Sequence, residues 1–208
     1  MAFHQVFQEE DVLCGSCRKT LKRVDRWIEV DKLRVYAYYA FDDTMSTILH
    51  RYKEAHDQLL GRIFLHPVRH FDRRFKKKTI VCVPSSEEKT SERGFITLRS
   101  ILEGSKLPLI DVLRKESSEK QSLRSAIQRP QVRSEIILHA GILAENKDLL
   151  LFDDVITTGS TMAACHEILS PVARSLTCVC IAIHPIFLEK SRKKQYLALK
   201  NQFKRFQR

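Results

Sequence analysis

Residues 149–161 read LLLFDDVITTGST. An uninterrupted apolar run ends in two carboxylates, and a hydroxyl-rich stretch with one glycine follows. A short continuous apolar run is the pattern of a strand covered on both faces, as in a parallel sheet. Such a strand delivers its C-terminal residues to the sheet edge where ligands of open α/β folds bind. Asp153 and Asp154 stand at that edge, and Ile156 through Thr161 leads into a helical pattern over 160–169 that stops near Pro171. The first turn of a helix offers free backbone N–H groups and the positive end of the helix dipole. The hydroxyls add donors, and Gly159 lets the backbone curl close to a ligand. This is a cradle for a phosphate monoester. Two neighbouring carboxylates repel a bare anion but accept hydrogen bonds from a vicinal diol. A sugar phosphate with free 2- and 3-hydroxyls satisfies both features. The plainer alternative, a capped helix after a strand, needs one Asp or Ser and leaves the rest of the cluster without a purpose.

Working outward, residues 33–41 (LRVYAYYAF), 79–84 (TIVCVP), 108–115 (PLIDVLRK), 148–152 (DLLLF) and 175–184 (SLTCVCIAIH) read as strands, with a further short one over 135–140. Helical patterns lie between them. Over 42–75 Met45, Ile48, Leu49 and Tyr52 share one face, and a break is expected between Gly61 and Pro67. Residues 85–94 read as a loop, and 95–104 as a helix closed by Gly104. The charged stretch 116–134 reads as a long mobile loop or a loop with a short helix. Alternating strands and helices predict an α/β fold with a mainly parallel sheet flanked by helices. The expected division is an N-terminal Cys-x-x-Cys segment, 1–30, and a main domain, 31–208. The tail 187–208 carries eight Lys/Arg and one acid, with Tyr196, Leu199, Phe203 and Phe206 spaced for one helix face. It reads as a basic amphipathic helix, either docked on the sheet or facing a partner.

Composition narrows the function classes. The chain has 208 residues, 43% of them hydrophobic, and a net charge of +11. That suits one globular domain with a full core and favours an anionic partner. No stretch approaches the roughly 18 apolar residues of a membrane helix, and the start lacks the pattern of a secretory leader. The cytoplasm is the expected location. Neither G-x-x-x-x-G-K-[ST] nor G-x-G-x-x-G occurs, which argues against a P-loop and a dinucleotide fold despite the Walker-B-like strand. Cys82, Cys165, Cys178 and Cys180 lie in apolar runs and are expected to be buried, reduced thiols.

LLLFDDVITTGST resembles the binding loop for phosphoribosyl pyrophosphate (PRPP) of type I phosphoribosyltransferases. Further segments resemble the ComF family of competence-associated, phosphoribosyltransferase-like proteins: SERGF (91–95), RYKEAHD (51–57), IVCVPSS (80–86), the spacing Gln121…Arg124…Arg129, and Cys14-x-x-Cys17 with the Arg-Lys that follows. The resemblance covers nearly the whole chain in order. It departs from the family pattern in three places: one Cys-x-x-Cys pair stands where two are usual, His56 replaces a glycine, and Ile96-Thr97 replaces Asn-Gln.

The resemblance implies roles. Asp153 and Asp154 would hold the ribose hydroxyls, while Val155, Thr157, Thr158, Gly159, Ser160 and Thr161 would wrap the 5-phosphate. Pro84, Ser85, Ser86 and Arg93 would receive the pyrophosphate, and Lys53 joins Asp153, Asp154 and Arg93 as a catalytic candidate. Gln121, Arg124 and Arg129 would belong to a lid. Mg2+ is the implied cofactor, bridging pyrophosphate and ribose oxygens. Zn2+ is implied at Cys14 and Cys17, with His4 as a third candidate and no fourth ligand evident. No general base is obvious, and His50 and His56 are guesses. The implied role is a PRPP-binding protein of DNA uptake in natural transformation, working with single-stranded DNA or a helicase or translocase. Arg69, Arg73, Arg74 and Lys76 to Lys78 suit such a partner. The alternatives are an active transferase of ribose 5-phosphate to an unidentified acceptor and a catalytically silent PRPP sensor.

Overall fold

The computed structural model describes residues 13–115, 136–191 and 193. A six-stranded sheet runs in the order β1-β2-β8-β7-β3-β4, built from β1 (Arg23–Val30), β2 (Leu33–Ala40), β3 (Thr79–Cys82), β4 (Leu109–Ile110), β7 (Asp148–Ile156) and β8 (Ser175–Ile183). All neighbours are parallel except β1, which pairs antiparallel with β2. The fold is therefore the expected α/β class with a mostly parallel sheet. Leu149 through Phe152 and Val179 through Ile183 are fully buried, which is why these central strands are apolar at every position rather than alternately.

Helices flank the sheet: α2 (Asp43–Glu54), α3 (Gly61–Phe64), α4 (Val68–Arg74), α5 (Glu87–Arg93), α6 (Thr97–Ile101) and α7 (Ser160–Leu169), preceded by a short α1 (Gly15–Thr20). The α2 stripe is as expected, with Met45, Leu49 and Tyr52 buried. Phe71 of α4 meets Phe152 of β7 edge-to-face, with ring centroids 5.8 Å apart. α7 runs over 160–169 as the pattern predicts, and residues 185–191 are helical. Residues 192 and 194–208 of the basic tail lie outside the described residues, as do His4 and the stretch 116–134.

Four local expectations are corrected. Residues 85–94 are not a loop: Ser86 caps α5 by accepting from the Lys89 amide, Glu87 and Glu88 complement the dipole, and Gly94, at φ +72°, closes it. The helix buries no residue, so it leaves no apolar stripe to read. The strand expected over 148–152 continues to Ile156, because Asp153 and Val155 pair with Cys180 and Ala182. PLIDVLRK divides into β4 and β5 (Leu113–Lys115), and β5 pairs with β6 (Ile136–Leu138) in a separate antiparallel ribbon. The break in the 42–75 helix begins at Ala55, earlier than Gly61. Arg23–Val30, inside the segment 1–30 set apart above, joins the main sheet as β1.

Candidate functional site

The C-terminal ends of β3 and β7 lie side by side, so the segments that follow them, 83–86 and 157–159, share one sheet edge. Consecutive strand residues point to opposite faces, and the two acids at the end of β7 divide accordingly. Asp154 forms an ion pair with Lys53 of α2, Nζ to Oδ2 2.5 Å, both side chains largely shielded from solvent. Asp153 accepts from the Asp154 amide at 2.8 Å, and its charge is felt by Cys165 on α7. Burial, and then the neighbouring Asp154 carboxylate, push the Asp153 carboxyl up to about 7.

Two cavities meet at Asp153, and Asp154 lines the larger of them. The smaller, of about 30 Å³, is lined by Asp153, Val155, Thr157, Thr158, Gly159 and Thr161. Gly159 adopts φ +83°, and a Cβ there would lie 2.5 Å from Cγ1 of buried Val30. Glycine is thus required by conformation and by space. The first turn of α7 begins at Gly159, which has no side chain to cap it, and the Ser160 amide donates to the Thr158 hydroxyl at 3.4 Å. Ser160 turns its hydroxyl to that of Thr158, 2.9 Å away, and is not part of the wall.

The larger cavity, of about 230 Å³, shares Asp153, Val155 and Thr161 with the first. It brings together Lys53, Pro84, Ser85, Ser86, Arg93 and Asp154, six of the residues singled out in the sequence. Arg93 donates to Glu54 Oε1 at 2.6 Å and holds the Glu54 carboxyl below its ordinary range. The same wall contains two residues that the sequence reading missed, Lys89 and Lys115. Lys89 hid in a segment read as loop, although it stands four residues before Arg93, and Lys115 at the edge of the charged stretch. His50 and His56 are exposed and do not line this cavity. Gln121, Arg124 and Arg129 lie outside the described residues.

Asp153 and Asp154 both line the larger cavity, where their carboxyl groups are the hard oxygen donors available to a divalent cation, with Asp154 already engaged by Lys53. Zinc at the N-terminus fits poorly. Cys14, which caps α1, and Cys17 within it are exposed free thiols, and no cluster of three or more His, Cys, Asp or Glu forms among the described residues. The Ser16 hydroxyl lowers the Cys14 thiol to about 7, and its hydrogen bond with Cys14 raises Cys17. Cys165, Cys178 and Cys180 are buried free thiols and Cys82 is half-buried, close to expectation.

No family model matches the chain. It is similar to two curated proteins named Competence protein ComFC: one from Streptococcus pneumoniae (strain ATCC BAA-255 / R6), 25% identical over 133 residues and 64% of this chain, and one from Bacillus subtilis (strain 168), 25% identical over 194 residues and 76% of this chain. The matches span 60% and 77% of those proteins' lengths. Both carry the name to which the sequence resemblance pointed. Its neighbours among solved structures are phosphoribosyltransferases. The adenine phosphoribosyltransferase of Saccharomyces cerevisiae has TM-score 0.45 at 15% identity, covering 87% of this chain and 95% of that one. The APRTase of Giardia lamblia has TM-score 0.42 at 12% identity, covering 76% and 92%. Among the described residues no helix is long and apolar enough to cross a membrane.

Proposed function

We propose that this chain is a cytoplasmic PRPP-binding protein of the competence type, acting in DNA uptake with single-stranded DNA or a helicase partner. The observation that carries the ligand is the order of features along one sheet edge. A hydroxyl-lined pocket at a helix start comes first, then a pair of carboxylates, then a cavity lined by cations. A ribose with a phosphate on one end and a diphosphate on the other matches that order, and neither a simple phosphate nor a diol does. The competence role is supported by the names of the two relatives and by the net charge of +11, which favours a polyanion.

In this reading the 157–161 loop holds the 5-phosphate, and Asp153 and Asp154 accept from the ribose hydroxyls. The Asp154–Lys53 pair fixes one carboxylate, so the ring is oriented before any bond breaks. Ser85 and Ser86 face the leaving group, and Arg93 holds the far wall. The carboxylates stabilise the positive charge that develops on the ring as the C1 bond to the diphosphate opens. When bound at the acid pair, Mg2+ would supply charge neutralisation to the leaving group.

Calorimetric titration of PRPP with Mg2+ tests the ligand. Binding to the natural chain is expected, and replacing Asp153 and Asp154 together by Ala is expected to abolish it. Unchanged affinity in that double variant would sink the assignment. Pyrophosphate release, followed with and without single-stranded DNA, separates transfer to a small acceptor from the accessory role. Salt-sensitive DNA binding without turnover supports the latter.

A further inference from the structure

Four cations line the larger cavity: Lys53, Lys89, Arg93 and Lys115. They are not equivalent. Lys53 is held by Asp154 at 2.5 Å, and Arg93 by Glu54 at 2.6 Å. Lys53 and Glu54 are consecutive residues at the end of α2, so one helix terminus engages both. Drawing Lys53 onto a ligand would strip a half-buried carboxylate of its partner, which is costly. Among the described residues, by contrast, the ammonium groups of Lys89 and Lys115 make no ion pair or hydrogen bond.

α5 explains how Lys89 reaches the site. Lys89 and Arg93 are four residues apart and lie on one helix face, towards the carboxylate pair. Glu87, Thr90 and Ser91 of the same helix line a neighbouring cavity of about 470 Å³. The helix thus stands as a partition with a cationic side facing Asp153 and Asp154. Lys115 is the last described residue before 116–135, and it lies on the wall common to both cavities with Val83, Pro84, Ser85 and Leu98.

An ester diphosphate carries up to about three negative charges at neutral pH, one on the inner phosphate and the rest on the terminal one, whose second ionisation falls near 6. Cations already neutralised by carboxylates do little for it. We propose that Lys89 and Lys115 bind the diphosphate of the ligand, while Lys53 and Arg93, engaged by Asp154 and Glu54, position the acid pair and the cavity wall. This rests on the PRPP reading above.

The test titrates three probes in the presence of Mg2+ (PRPP, inorganic pyrophosphate and ribose 5-phosphate) into the full chain and into Lys89→Ala and Lys115→Ala. Lys89 is exposed, so its replacement leaves the fold intact. Lys115→Gln, with thermal unfolding as a check, keeps the test sound if the Ala variant there folds poorly. Each replacement is expected to weaken PRPP and pyrophosphate roughly tenfold, as for loss of one charge-assisted contact, and to leave ribose 5-phosphate within about twofold. Lys89→Arg should restore most of the pyrophosphate affinity. Unaltered pyrophosphate binding, or an equal loss for ribose 5-phosphate, overturns the assignment. A natural chain that binds ribose 5-phosphate but not pyrophosphate overturns it too, yet leaves the phosphate cradle standing. A natural chain that binds none of the three removes the underlying reading as well.

Discussion

At the scale of single residues, two backbone positions show how conformation and sequence agree or conflict. His56 occupies φ +55°, and it is the position where the ComF pattern carries glycine. The left-handed region costs an ordinary residue about 1–2 kcal/mol, and glycine returns roughly 0.5–1 kcal/mol of that as chain entropy. His56→Gly is therefore expected to raise stability by about 0.5–1 kcal/mol in urea unfolding. Gly159 is the opposite case. At φ +83°, with the added carbon 2.5 Å from Val30 Cγ1, it has neither the conformation nor the room for a side chain. Val30 is 1% exposed and cannot yield. Gly159→Ala should cost more than about 2 kcal/mol in the same measurement and should weaken any phosphate ligand. A destabilised His56→Gly, or an unaffected Gly159→Ala, would contradict the backbone geometry at these sites.

At the scale of elements, what was legible depended on whether an element buries anything. α2, β7, α7 and β8 put apolar side chains into the core, and periodicity or continuous hydrophobicity located them. α5 buries none. Its evidence lay only in its ends, Ser86 and Gly94, and those same residues read equally well as turn formers. That ambiguity concealed Lys89, because a cation in a loop has no defined direction whereas a cation four residues before Arg93 does. The start of β7 shows another contact beyond the reach of pattern. Asp148 accepts from the Ser175 hydroxyl at 2.6 Å and from the Arg174 guanidinium, tying β7 to β8 where both strands begin. Arg174, and then Ser175, hold the Asp148 carboxyl down at about 2, below its ordinary 3.8. A depressed carboxylate contributes stability above its unfolded value and loses it as pH falls through its folded one. Asp148→Ala should accordingly be less stable than the natural chain at neutral pH, and the gap in denaturation midpoint should close between about pH 4 and pH 2. A gap that persists unchanged at pH 2 would assign the effect to packing rather than to the charge.

At the scale of the whole molecule, the α/β class was legible and the sheet order was not. Residues 83–147 separate β3 from β7, and nothing local to TIVC or to LLLFDD states that they are neighbours. Their pairing makes the site by setting Ser85 and Ser86 beside the acid pair. β1 was hidden for a different reason. It is an edge strand with alternate residues exposed and several charges, as edges commonly are.

The site also bears on the stability of the molecule as a whole. Asp153 retains its proton to about pH 7 in the folded chain, against an ordinary 3.8. Between those values the unfolded chain has released a proton that the folded chain still holds, so stability falls as pH rises through that window. Burial and the Asp154 charge are the causes, and Asp153→Asn keeps the shape while removing the ionisation. Relative to the natural chain, that variant should gain stability from about pH 4 to about pH 7 and level off above that, by a few kcal/mol at most, since one pKa unit corresponds to about 1.4 kcal/mol. Urea midpoints in metal-free buffer read this directly. The same variant should bind PRPP more weakly, because an amide is a poorer acceptor for the ribose hydroxyls than a carboxylate. A variant that gains no stability at high pH yet loses the ligand would mean that Asp153 ionises freely in the empty site. The acid pair would then be settled by its Lys53 partner rather than held in readiness for a bound cation.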